Sequence, residues 1–324
     1  MLTLQLTATD LSRTVLRSEP AVLLELGAAG QRLFEGAPEH LTAWWARTRA
    51  ALRPEMRPYL DLCRLPGWFP DFLTPPSLGS DLPAALDEVL ATPTATLAAE
   101  LRPRIAAGDL PARVAALASG ETTARRRLCV AMRAFHQIAV APYQQTITAA
   151  VRGDRAVRAH TMVDAGIDRV LRDLSPYLFW KPYGERYELS YECGFADGIA
   201  LAPAGRGVTL VPSYLLPRPC VLDDPAGPLV LAYPIRPTAQ RALVSSKPLA
   251  DLLGRTRAAV LGAIVDGPST SQVARTVGIS LASASQHASV LRSAGLVTTH
   301  RAGPAVRHTL TPLGEHLLRA GHTG

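Results

Sequence analysis

Hydrogen bonding without charge is the most distinctive chemistry in this chain. Between Gly278 and Val297 the sequence GISLASASQHASVLRSAGLV offers Ser280, Ser283, Ser285, Gln286, His287 and Ser289, followed by a single strong cation, Arg292. Hydroxyl and carboxamide groups both donate and accept, so at helical spacing they make a surface matched to the mixed donors and acceptors of nucleic-acid base edges. A bulky or acidic side chain there would hold the helix off the floor of a major groove or repel phosphate. Gln286 has the geometry to pair bidentately with adenine, and the serines can reach base edges or phosphates. No acidic residue occurs from Gly267 through Gly314, and Arg301 and Arg307 follow the helix, where they can take phosphate or enter a minor groove.

Such a surface needs a scaffold, and the flanking sequence supplies its elements. LGRTRAAVLGAIVDG reads as an amphipathic helix with Leu253, Val260, Ile264 and Val265 inward. STSQVARTVG reads as a shorter helix capped by Ser269 or Thr270, with Val273, Ala274 and Val277 inward. Gly278 then takes a positive φ, and Ser280 caps a helix from Leu281 to Ala294 that turns Ala284, Ala288 and Leu291 to the core. GLVTTHRAGPAVRHTLT alternates, reverses near Gly303 and Pro304, and returns through Val306, His308 and Leu310. The predicted order is helix, turn, helix and two-stranded wing: a winged helix-turn-helix over residues 249–324. Small polar helices also occur at helix–helix contacts, and winged helices also serve as protein-interaction modules. The acid-free face favours DNA.

The segments RTRAAVLGAI, VARTVGIS, SASQHASVLRSAGLV and HTLTPLG resemble the winged-helix head of the ArsR family of bacterial transcriptional regulators. The resemblance implies a homodimer on operator DNA, with Ser283, Ser285, Gln286 and His287 on the recognition helix. Ala284 and Ala288 stand where many members carry a bulkier apolar residue. GWFPDFLTPP, AGRGVTLVPS and LVLAYPIR resemble an uncharacterised domain that precedes ArsR-type heads in regulators of GC-rich bacteria. That resemblance implies a two-part architecture and no particular ligand.

Residues 1–240 read as a sensor or dimerisation domain, helical from Asp10 to Leu174. Ser18 is expected to cap a helix that carries Pro20 in its first turn. Further helices are expected in LTAWWARTRAAL, in DLPAALDEVLA, in TATLAAELRPRIAAG with a break or kink at Pro103, and in a long run from Glu121 interrupted at Pro142. DRAVRAHTMVDAGIDRVLRDL completes the set, and the proline-rich LPGWFPDFLTPPS forms a loop. RYELSYEC, GVTLVPSYL and PLVLAYPI read as strands of a small sheet near residues 186–235, and residues 241–248 read as a linker. The expected fold class is mainly α with a small antiparallel β region: an N-terminal helical domain plus a C-terminal winged helix-turn-helix.

All four tryptophans lie in the larger part, and Trp44, Trp45, Trp68, Phe69, His136 and Trp180 are the candidate lining of a small-molecule effector pocket. Aromatic residues of this kind serve at least as often as core. Control by a protein partner, or by metal or thiol chemistry, is the alternative. Cys63, Cys129, Cys193 and Cys220 show no C-x-x-C pairing, and His308, His316 and His322 are spaced loosely enough to be read as solvated, so no metal site is expected. The chain holds no G-x-S-x-G, no P-loop, no G-x-G-x-x-G after a strand and no H-E-x-x-H. Neither catalytic residues nor a cofactor are therefore expected, and an enzyme with an appended DNA-binding head is the less favoured class.

The formal charge of +7 and pI near 9.6 permit a polyanionic partner without requiring one. No run of apolar residues is long enough to span a membrane, and no basic leader precedes an apolar core. The expectation is a cytoplasmic protein whose partners are double-stranded DNA, a second copy of itself and a small effector.

Overall fold

Leu2, Leu4 and Leu6 are buried and alternate with Thr3 and Gln5, so the chain opens as a strand. The computed structural model describes residues 1–75, 77–184, 186–193, 198–235, 247–264, 268–302, 305–311, 313–314 and 317–318. The side chains of Glu39, Lys247, Pro248, Arg275, His300, Arg301, Ala302 and Ala305 also lie outside that description. Two compact units divide the chain, Met1–Ile235 and Arg236–Gly324.

In the first unit β1 (Leu2–Leu6), α1 (Ala8–Ser12) and β2 (Val15–Leu16) precede a run of helices. These are α2 (Val22–Glu35), α3 (Thr42–Ala50), α4 (Arg57–Cys63), α5 (Leu82–Ala91), α6 (Thr94–Ala106), α7 (Ala115–Ala118), α8 (Thr122–Ala139) and α9 (Gln144–Arg172). Six strands follow: β3 (Phe179–Tyr183), β4 (Arg186–Tyr191), β5 (Ile199–Leu201), β6 (Val208–Ser213), β7 (Cys220–Leu222) and β8 (Leu229–Pro234).

Every residue from Val22 to Gly30 is buried, which makes α2 the central helix of the unit. Its N-cap is Ala21 rather than Ser18, and the Val22 amide finds its acceptor in the Gly79 carbonyl at 3.0 Å. A side-chain cap is unnecessary where a neighbouring loop supplies the bond. Helix α6 runs through Pro103 instead of breaking there: the proline sits in the last turn, and its own carbonyl accepts from Ala107. Pro142 does end α8, as its missing N–H requires. Helix α9 continues through Gly153 and is interrupted at Gly166, whose φ of 74° is non-helical.

The β region differs from the expected antiparallel sheet. Two four-stranded mixed sheets form, in the orders β3-β4-β1-β5 and β2-β6-β8-β7. Strand β1 is antiparallel to β4, with Leu4 opposite Leu189, and parallel to β5, with Leu4 opposite Leu201. Strands β6 and β8 are parallel, with Leu210 opposite Leu231. Both are almost wholly buried, the pattern of strands covered on two faces, and the return through β7 brings β8 back in the direction of β6. Helix α9 is fixed to this sheet by a buried polar group: Tyr233 donates to Asp154 Oδ2 at 2.6 Å, and Arg158 donates to the carbonyls of Asp173 and Leu174 at 2.6 and 2.9 Å.

The second unit holds α10 (Lys247–Leu253), α11 (Arg255–Ala263), α12 (Thr270–Val277), α13 (Leu281–Ser293) and a hairpin of β9 (Val297–Ala302) and β10 (Ala305–Leu310). Residues 236–246, which include most of the expected linker, lie outside the described residues, as do Val265 and the reversal at 303–304. Helix α10 begins at Lys247, inside the expected linker. Val260, Leu261, Ile264, Val273, Ala284, Leu291, Leu296 and Val297 share one core. Ser269 forms an isolated antiparallel bridge with Arg307, and the His308 amide donates to the Pro268 carbonyl at 3.0 Å, so the segment before α12 lies along β10. Among the described residues, no helix is long and apolar enough to cross a membrane.

Candidate nucleic-acid interface

The junction of α12 and α13 is built by local chemistry. Ser269 Oγ accepts from the Gln272 amide at 3.3 Å, and the Gln272 carboxamide accepts from the Ser269 amide at 2.7 Å, a reciprocal capping box. Gly278 ends α12 in the left-handed region at φ 72° and ψ 34°. Two residues later Ser280 Oγ accepts from the Ser283 amide at 3.1 Å and starts α13. Ser280 is exposed, and as an acceptor in this bond its hydroxyl still carries a proton that can be donated.

Helix α13 turns Ala284, Ala288 and Leu291 into the core, at no more than 2% exposure each. Small alanines at the first two positions let the helix lie close against its neighbours. Ser285, Gln286, Ser289 and Arg292 are exposed, and their spacing places them on one face. Ser283 and His287 are half-buried and lie together beyond Gln286, on the side of the helix that turns toward the core. Arg292 Nη2 donates to Ser289 Oγ at 3.2 Å, which directs the guanidinium back along the helix. On the hairpin Arg307 is exposed. Arg301 pairs in register with Val306, and its side chain lies outside the described residues.

His308 departs from the solvated position expected of it. It is 4% exposed, with Nε2 2.9 Å from Thr270 Oγ1 and Nδ1 3.1 Å from Thr299 Oγ1. Burial, and secondarily the Arg292 charge, hold its imidazole below the ordinary 6.5. His316 and His322 lie outside the described residues. Among the described residues, no three His, Cys, Asp or Glu side chains come together as a metal site.

The six residues singled out in the first unit do not share one cavity. Trp44 is core, 3% exposed, with Nε1 donating to the Ala139 carbonyl at 2.7 Å. Trp45 lies under the Arg49 guanidinium, 4.8 Å from the ring centroid. Trp180 stacks on Tyr187 with centroids 5.2 Å apart, and donates to Asp168 Oδ1 at 2.6 Å. His136 lines an open cleft with Arg133 and Asp81, and burial lowers its pKa.

Trp68 and Phe69 line a separate cleft of about 320 Å³. Its walls come from α2, α6, the ends of β4 and β7, and the loop that carries Pro217 and Pro219. Asp71, Glu100 and Arg104 face it as well, and residue types and spacing single out none of the three. Asp71 lies within the quoted GWFPDFLTPP, whereas Glu100 and Arg104 sit in an ordinary helical sequence. The Asp71 amide donates to Glu100 Oε2 at 2.7 Å. Desolvation first, and the neighbouring Asp71 second, push the Glu100 carboxyl up to about 7. Cys220, at the same cleft, is pushed up to about 12 by burial and stays a thiol.

No family model, curated protein or solved structure matches this chain.

Proposed function

We propose that this chain is a sequence-specific, homodimeric DNA-binding transcriptional regulator of the ArsR type, acting as a repressor under the control of a small molecule bound by its N-terminal unit. In this reading the C-terminal unit is a winged helix-turn-helix, α13 is the recognition helix and β9–β10 is the wing. The observation that carries the reading is the outer face of α13: Ser285, Gln286, Ser289 and Arg292 are exposed on it, within a stretch that has no carboxylate from Gly267 through Gly314. Small hydrogen-bonding groups suit base edges, and the absence of acid removes the repulsion that phosphate would impose. The buried alanines beneath that face, the αL turn at Gly278 and the paired serine caps are consistent with the same role.

A dimer would present two such helices about 34 Å apart, one turn of DNA, over an inverted repeat. An effector would act by binding two conformations of the dimer unequally. The test is selection of genomic DNA fragments by the purified full-length protein at near-physiological salt, followed by sequencing. A shared inverted repeat among the retained fragments is expected. Salt-sensitive retention without a common sequence would reduce the reading to non-specific DNA binding, and no retention would overturn it.

A further inference from the structure

The cleft beside Trp68 is described by its walls, its aromatic surface and its balance of charge. At about 320 Å³ it has room for a small organic molecule. Its cations are already matched. Arg104 lies over Trp68, 5.3 Å from the ring centroid, and pairs with Asp109 at 3.1 Å. Arg218 pairs with Glu35 at 2.8 Å. The acids Asp71 and Glu100 have no basic partner among the described residues; Glu100 accepts only backbone N–H groups, from Asp71 and Phe72. The cleft therefore offers apolar and aromatic surface together with carboxyl groups that no cation compensates. An anion would meet repulsion from both acids and find both arginines engaged. A neutral apolar molecule would leave the two acids without a partner as it displaced water from them.

We infer that this cleft binds a small organic cation, with an aromatic or aliphatic body against Trp68 and Phe69 and a protonated amine directed at Asp71 and Glu100. The ammonium makes charge-assisted hydrogen bonds to the two carboxyl groups, and the body supplies the apolar burial. The inference assigns a chemical class to the effector of the regulator proposed above, and it rests on that reading only for the consequence at DNA.

The experiment titrates the full-length protein, without DNA, with 2-phenylethylamine and with its neutral counterpart 2-phenylethanol, followed by tryptophan fluorescence and by isothermal calorimetry. Saturable amine binding is expected at concentrations up to about 10 mM, as suits a fragment of this size, at least about tenfold tighter than the alcohol. Asp71→Asn and Glu100→Gln should each bring the amine toward the affinity of the alcohol. Trp68→Phe should remove most of the fluorescence change while calorimetry still detects binding. Circular dichroism establishes that each variant is folded, and the change at Asp71, an exposed residue, is the one least able to disturb packing. No saturable binding of the amine, equal affinity for amine and alcohol, or amine binding indifferent to both acid substitutions would each overturn the inference. Retention of an inverted repeat together with failed amine binding sinks the cleft assignment alone, and the reverse result sinks the regulator alone.

Discussion

Thr270, in the first turn of α12, and His308, on β10, are joined side chain to side chain at 2.9 Å, so the hairpin is tied to the start of the helix that precedes α13. The opposite ring nitrogen reaches Thr299 on β9. One imidazole therefore links three elements of the second unit.

His308→Ala should destabilise this unit by ~2 kcal/mol, because it empties a buried site and leaves hydroxyl groups without their partner. A histidine whose folded pKa is depressed contributes stability that is present above its unfolded value of 6.5 and is lost as pH falls through the folded value. Thermal unfolding followed by far-ultraviolet circular dichroism between about pH 5 and pH 8 should show that loss in the native chain and a flatter profile in the variant. Identical profiles would separate His308 from the effect.

Gly278→Ala should cost about 1–2 kcal/mol, because an L side chain is disfavoured in the left-handed region. Nothing lies within 4 Å of where the new methyl would sit, so the cost is backbone strain alone. Gly278→Asn should therefore cost less than Gly278→Ala in denaturant titrations. The opposite ranking would point to a steric rather than a conformational requirement.

Gln286→Ala should relax sequence preference by ~1–3 kcal/mol at one base position, the worth of a bidentate amide–adenine pair. Arg307→Ala should weaken binding to all sequences alike and reduce the slope of log K against log salt by about 0.9, the share of one phosphate contact. Competition binding on the selected repeat and on single-base variants of it checks both. Unchanged binding by both variants would displace the reading surface from α13 and the hairpin.

Glu25→Ala should destabilise the first unit by ~3 kcal/mol, since it leaves two buried amides unsatisfied. The carboxylate accepts from the Tyr214 and Leu215 amides at 2.8 and 2.9 Å, and Arg32 holds the carbonyls of Leu215 and Leu216 beside them. Desolvation raises Glu25 to about 7 despite those bonds, so its contribution to pH dependence is stability that is complete below 4.5 and declines as pH rises through about 7. Glu25→Gln should remove that decline, as read by tryptophan fluorescence in denaturant.

Affinity for 2-phenylethylamine should rise by about tenfold between pH 6 and pH 8 as Glu100 ionises. The charged and titratable groups that line the cleft with it are Asp71, Arg104, Glu35, Arg218, Tyr191, Glu192, Cys193 and Cys220. Only Asp71 adds to desolvation in raising it. The slope should be absent from Glu100→Gln, and a slope that persists there would belong to another group.

Local signals in the second unit were strong enough to read directly. The serine caps, the glycine turn and the three-residue and four-residue spacing of Ala284, Ala288 and Leu291 are decided within a few residues, and they place the exposed face of α13 without any long-range contact. The burial of His308 is not legible locally, because it depends on Thr270, thirty-eight positions away.

The first unit was legible only in pieces. Most of its helices follow from periodicity and proline placement, and β4, β6 and β8 follow from short apolar runs. The alternation of Leu2, Leu4 and Leu6 was a legible strand signal, but nothing nearby says that β1 inserts between β4 and β5. Strand direction and order are set by which buried faces meet after the chain has closed on itself, and period-two alternation is the same for parallel and antiparallel partners. The cleft has the same origin. Trp68 and Asp71 are near neighbours in sequence, but Glu100, Tyr191 and Arg218 reach them from three other segments. What this sequence determined by itself was local: turns, caps, helix faces and an acid-free surface. The tertiary structure alone decided which distant carboxylates and aromatics share a cavity, because desolvation and charge pairing are properties of neighbours in space.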